Sequence, residues 1–223
     1  TGLKLAPGVL EPLHTYWVRT RHNDVRGGHS EWSATARITT PAAMAGDADG
    51  NGVDDATQAD GDANNNGVTD STEGICDLRD AQSNSVVGLQ ASTGTTQCYR
   101  AISASEVPAA PTGASLPYGL FAFRVSGLRV DTLNPARVTL QVHLPEKPSG
   151  SVKWYKYDAS NGTLFELANS VTFQGNTALV ELQDGGIGDF DGVVNGVIVD
   201  PSGPLTIASA GGTGGGTGGT TSG

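Results

Sequence analysis

Asp62, Asn64, Asn66, the carbonyl of Val68, Asp70 and Glu73 stand at positions 1, 3, 5, 7, 9 and 12 of one short segment, with Gly67 at position 6. That spacing wraps oxygen donors around a hard cation: alternate side chains point inward, glycine makes the sharp turn, and a final glutamate offers two oxygens. A second copy begins 15 residues earlier, at Asp47, with Asp49, Asn51, Gly52, the Val53 carbonyl and Asp55. Its twelfth position is Gln58, a poor substitute for a bidentate carboxylate, so the first loop is the weaker of the two. Oxygen-only donors in this number favour calcium over zinc or magnesium.

A third candidate lies far along the chain. Asp189, Asp191, Asn195 and Asp200, with Gly192 and Gly196 between them, offer oxygens at turn-rich spacing, although the twelve-position pattern is not kept. The expectation is two Ca²⁺ sites with this as a third; the competing reading of the third is a Gly-rich turn whose aspartates cap backbone amides. Cys76 and Cys98 are the only cysteines, 22 residues apart with no CxxC, which reads as one disulfide in an oxidising, extracellular setting. The bland alternative is two buried thiols.

No catalytic constellation accompanies these donors. His143 stands alone on a strand pattern, His14, His22 and His29 fit no metal spacing, and there is no GxSxG. The acidity is local. Of 23 carboxylates, eight lie between Asp47 and Glu73, a stretch without Lys or Arg; the rest nearly balance the 13 bases, and the net charge is −10. A chain with no basic face is a poor match for nucleic acid. No run of about 18 apolar residues occurs that would cross a membrane as a helix.

The elements around the loops read as strands. Tyr16–Arg21 and Ala34–Thr40 are the first two; Tyr118–Val125, Arg137–Leu144, Val152–Tyr157, Thr163–Leu167 and Thr177–Leu182 follow, with turn residues such as Asn161-Gly162 between them. Their alternation places Phe121, Phe123 and Val125 on one face, Val138, Leu140 and Val142 on another, and Ala178, Val180 and Leu182 on a third. The expected fold class is all-β: a partial sandwich, a calcium-loop linker, then an antiparallel β-sandwich. Residues 1–40 form the first unit, 41–75 the linker, 76–207 the second sandwich and 208–223 a flexible Gly/Thr tail.

Three resemblances sharpen this. Leu10-Glu-Pro12-Leu13-His-Thr15-Tyr16 running into Trp17-Val18-Arg19-Thr20-Arg21, then Ser30-Glu31-Trp32-Ser33, resembles the last strands of a fibronectin type III domain, which implies a tyrosine corner at Tyr16. The paired acidic loops look like thrombospondin type 3 or dockerin-type repeats, implying calcium-binding connectors. Residues 76–205, with Pro117-Tyr118-Gly119-Leu120-Phe121, Trp154-Tyr155-Lys156-Tyr157-Asp158 and the Asp184–Pro204 run, resemble the choice-of-anchor U domain of bacterial surface proteins.

The chain opens in mid-pattern and stops in a Gly/Thr tract, as a piece of a longer polypeptide would. The expected function is a non-catalytic, calcium-stabilised structural or adhesive protein of the extracellular space or bacterial cell surface. Its expected partners are upstream domains of the same polypeptide or other copies of itself, the latter allowing filaments by strand exchange. Two alternatives stand beside it. One is the accessory C-terminal region of a secreted hydrolase. The other is a carbohydrate-binding module presenting Trp154, Tyr155 and Tyr157 to surface glycans.

Overall fold

Alternating side chains between frequent turns build antiparallel strands, and among the described residues these are nearly all of the regular elements. The computed structural model describes residues 10, 15–40, 61–107, 111, 113–158 and 162–207. Near the start, β1 (Thr15–Val18) and β2 (Ala36–Thr39) pair as a ribbon, with Tyr16 opposite Ile38 and Trp17 opposite Arg37. The ring of Trp32 is covered by two guanidiniums, those of Arg19 at 4.5 Å and Arg21 at 4.7 Å from its centroid. Trp17 and Ile38 stay largely exposed. The expected tyrosine corner falls mostly outside the described residues.

The described residues between 61 and 207 form a two-sheet sandwich. The strands are β3 (Cys76–Arg79), β4 (Val86–Ala91), β5 (Thr95–Ile102), β6 (Ala114–Ser115), β7 (Leu120–Ser126), β8 (Arg137–His143), β9 (Ser151–Asp158), β10 (Thr163–Glu166), β11 (Val171–Gln174), β12 (Thr177–Gln183) and β13 (Ile198–Ile207). One sheet runs β11-β12-β8-β4-β3; the other runs β10-β9-β13-β7-β5, with β6 added to β13. Every pairing is antiparallel.

The core fills the space between the sheets. Val87, Leu89, Val138, Leu140, Val142, Ala178, Val180 and Leu182 meet Phe121, Phe123, Val125, Trp154 and Ile198, all buried. Each such side chain contributes about 1.5–3 kcal/mol by leaving water. The three faces expected from alternation are therefore the inner faces of β7, β8 and β12. The outer face of β7 is covered too: Leu120 and Ala122 pack with Val107, Leu116, Tyr157 and Leu205 in a second cluster.

Three regions depart from expectation. The segment between the cysteines, poor in large apolar residues, forms most of β3, all of β4 and the start of β5 rather than a bare loop. Val171–Gln174 adds an edge strand. The run expected to end a cation loop becomes β13, the longest strand, despite Pro201 and Pro204. Its first half pairs with β7 and its second with β9, sharing only Ser202, so each half has one of these neighbours on one side only. Prolines, which cannot donate to a ladder, are tolerated in such a strand.

Candidate metal centre

The loop of Asp62–Glu73 is held open by its own side chains. Asp62 accepts the backbone N–H groups of Asn66 and Gly67, both at 2.9 Å, through its two oxygens. Asn64 Oδ1 accepts the Asn66 N–H at 3.1 Å, and Asn66 Oδ1 accepts the Val68 N–H at 2.8 Å. Each bond ties a side-chain oxygen to backbone two to five residues ahead, which coils the chain around the oxygens. Gly67, at φ +84°, makes the turn a side chain would resist.

A short helix, α1 (Asp70–Glu73), brings the last donor back. Asn64 Nδ2 donates to Glu73 Oε2 at 2.9 Å, and Asn66 Nδ2 to Glu73 Oε1 at 2.8 Å. Asp62, Asn64, Asn66 and Glu73 thus gather at one place, as the spacing requires. Amide N–H groups meet both Glu73 oxygens, so positive partial charge already faces this carboxylate. The donor set is two carboxylates and two amides; among the described residues no group of three or more His, Cys, Asp or Glu forms a metal cluster.

Asp70 has a different role from the others. It is fully buried, and its Oδ2 accepts the Ala63 N–H at 2.8 Å while its backbone N–H donates to the Gly61 carbonyl at 2.8 Å. It ties the start of the loop to its end from beneath. Its Oδ1 is buried with no hydrogen-bond partner, which suits the ninth position of such loops, where contact to the ion is often through water.

The loop is built into the sandwich, not strung ahead of it. Asp77 on β3 accepts the Gly61 N–H at 2.9 Å, and Gln90 Nε2 on β4 donates to the Glu73 carbonyl at 2.7 Å. Ala63 and Ile75, both buried, press on Gly88, where an added Cβ would stand 2.7 Å from each. Packing therefore continues across the boundary expected at residue 75. His143, opposite Gly88 in the ladder, contacts Thr177 Oγ1 at 3.2 Å. Burial pushes its imidazole below the usual value, against the pull of Asp70 and Glu73.

The first loop, Asp47, Asp49, Asn51, Val53 and Asp55, lies outside the described residues. At the third candidate the donors go elsewhere. Asp189 accepts the Gly185 N–H at 2.8 Å and the Val199 N–H at 3.3 Å, and burial pushes its carboxyl up to about 6. Asp191 accepts the Val193 N–H and the Asn195 amide, both at 2.8 Å. Asp200, fully buried, faces the ammonium of Lys156 at 2.5 Å. A lysine faces Asp200, while Asp189 and Asp191 accept backbone N–H groups. Two further residues take part here that no metal spacing includes: Lys156, buried on β9, and Asp184, which accepts the Asn195 and Gly196 N–H groups at 3.1 and 2.9 Å.

Cys76 and Cys98 form the expected disulfide. It joins β3 to β5, edge strands of opposite sheets, and so clamps the sandwich next to the loop. Trp154 and Tyr157, expected in the alternative reading to face a glycan, are buried.

Comparison with protein-family models, with curated proteins and with solved structures gave no match.

Proposed function

We propose that this chain is a non-catalytic, calcium-stabilised structural module of a bacterial cell-surface or extracellular protein. The observation that carries the reading is the convergence of Asp62, Asn64, Asn66 and Glu73 in a loop anchored on β3 and β4. Calcium supplies two positive charges at that cluster. Asp62 and Glu73 neutralise it, the two Asn side chains and the Val68 carbonyl complete the oxygen shell, and Asp70 steadies the loop from below. Extracellular modules of this kind bind with dissociation constants of roughly 10⁻⁴ to 10⁻³ M, so the site fills outside cells and empties inside them. The disulfide supports the same compartment.

In this reading the cation fixes the segment that enters the sandwich, and Asp47, Asp49, Asn51, Val53 and Asp55 supply a second site of the same kind. A two-stranded ribbon is marginal by itself. Strands from upstream in the same polypeptide, or from a second copy, complete it, which is the route to adhesive stalks or filaments. Calorimetric titration of the purified chain with Ca²⁺, repeated with Mg²⁺ as control, tests the assignment. Saturable binding selective for Ca²⁺ is expected; no heat above dilution rejects it.

A further inference from the structure

Lys156 is 3% exposed, an unusual position for a charged amine. It projects from β9 into the core beside Trp154, and its partner Asp200 lies on the neighbouring strand β13, diagonal to it across the ladder, with Ser202 directly opposite. Phe123 is the register partner of Asp200 on the other side, and Phe121 that of Ser202. The pair is therefore walled by aromatic rings; Trp154 and Phe121 stand 6.3 Å apart by centroids.

Each proton of the ammonium has a place. Two are directed to the carbonyls of Gly188, at 2.9 Å, and Val199, at 3.4 Å, and the third to Asp200 Oδ1 at 2.5 Å. That last distance is shorter than the roughly 2.7–2.9 Å of an ordinary charge-assisted pair. The other oxygen, Oδ2, accepts from Ser202 Oγ at 2.8 Å, and Ser202 Oγ accepts from Trp154 Nε1, also at 2.8 Å.

We propose that Lys156 and Asp200 condense without an enzyme into an intramolecular isopeptide bond that joins β9 to β13. The amine proton that points at Asp200 passes to Oδ1, leaving a neutral amine and a neutral acid. The Gly188 and Val199 carbonyls keep the two remaining N–H bonds turned away, so the freed lone pair faces the carboxyl. Nζ attacks Cγ, and the N–Cγ bond forms. Ser202 holds the negative charge that develops on Oδ2, in the manner of an oxyanion donor. The Cγ–Oδ1 bond then breaks, and Oδ1 leaves as water with its own proton and one from nitrogen. Oδ2 remains as the amide carbonyl. One ammonium and one carboxylate become one amide and one water, with no other reactant.

The dry surroundings disfavour a charged carboxylate, because burial raises the free energy of its charge. Burial pushes the Asp200 carboxyl up even against Lys156, which agrees with an acid ready to lose oxygen. The product would bind the central strand of the second sheet covalently to its neighbour, a cross-link suited to a module under tension and independent of any cation.

The test is mass spectrometry of the folded, purified chain after reduction and denaturation. The expected mass is one water below that of the sequence, with a tryptic branched peptide joining the Lys156 and Asp200 segments and no cleavage at Lys156. Lys156→Arg, which keeps the charge, and Asp200→Ala should both show the full mass. Ser202→Ala should slow water loss in freshly refolded chain; an unchanged rate removes Ser202 from the reaction. Full mass and cleavage at Lys156 in the wild-type chain after prolonged incubation overturn the proposal, whatever the variants do.

Discussion

Asn66 and Glu73 meet at 2.8 Å, amide nitrogen to carboxylate oxygen, across the open side of a loop whose other oxygens are already turned inward. Together with the Asn64 amide on the other Glu73 oxygen, that contact closes the loop, and it joins a turn residue to the end of α1. A cation that accepts the Glu73 carboxylate uses the same closure.

Asn66→Ala removes one oxygen donor and one Glu73 contact while leaving the anchored base of the loop intact. The expected outcome is about tenfold weaker Ca²⁺ binding, equivalent to roughly 1.4 kcal/mol, read by calorimetry. The fold should persist, since Asn66 is exposed.

Gly88→Ala probes how the loop is seated. The new methyl would press on Ala63 and Ile75 at 2.7 Å from each, so the loop must lift from β4. A loss of about 1–3 kcal/mol is expected from overpacking, measured by urea unfolding, together with weaker Ca²⁺ binding. If stability falls and binding is untouched, the loop does not depend on this seat.

Reduction of the Cys76–Cys98 bond releases β3 from β5. For residues 22 apart the chain-entropy model gives a loss of about 3 kcal/mol. Denaturant midpoints with and without reductant, or for Cys98→Ala against wild type, measure it.

Glu106 gives the pH dependence. Its hydrogen bond from Arg100, together with that from the Ser103 backbone, holds it at about 2, below the ordinary 4.5. The unfolded chain therefore takes up the proton first as pH falls, so the contribution is full above 4.5 and is lost as pH drops through about 2. The pair is exposed, and about 1 kcal/mol is the upper bound. Wild type should exceed Glu106→Gln by up to that amount at pH 7, with the gap closing in thermal unfolding near pH 2.

Much of this was legible in the residues. The 2-residue period of β7, β8 and β12 named the core faces, because burial on one side leaves no other register. The spacing Asp62-x-Asn64-x-Asn66-Gly67 with Glu73 named a loop whose side chains do converge. The rest was hidden for physical reasons. β13 contains Pro201 and Pro204, which argue against a strand until its changing neighbours are known. Asp200 reads as a cation ligand because nothing local says that the ammonium of Lys156, 44 residues earlier, will reach it. Asp70 reads as a ligand by position, yet its burial against Ala63 depends on packing over Gly88 that no single segment encodes.

The most direct measurement is thermal unfolding of the chain in Ca²⁺ and in EDTA. At a Ca²⁺ concentration ten times the dissociation constant, binding to the folded state alone adds about 1.4 kcal/mol, a rise of roughly 3–6 °C for a domain of this size. The account predicts that rise for wild type and its loss in Glu73→Ala. Equal midpoints for wild type in Ca²⁺ and in EDTA would contradict it.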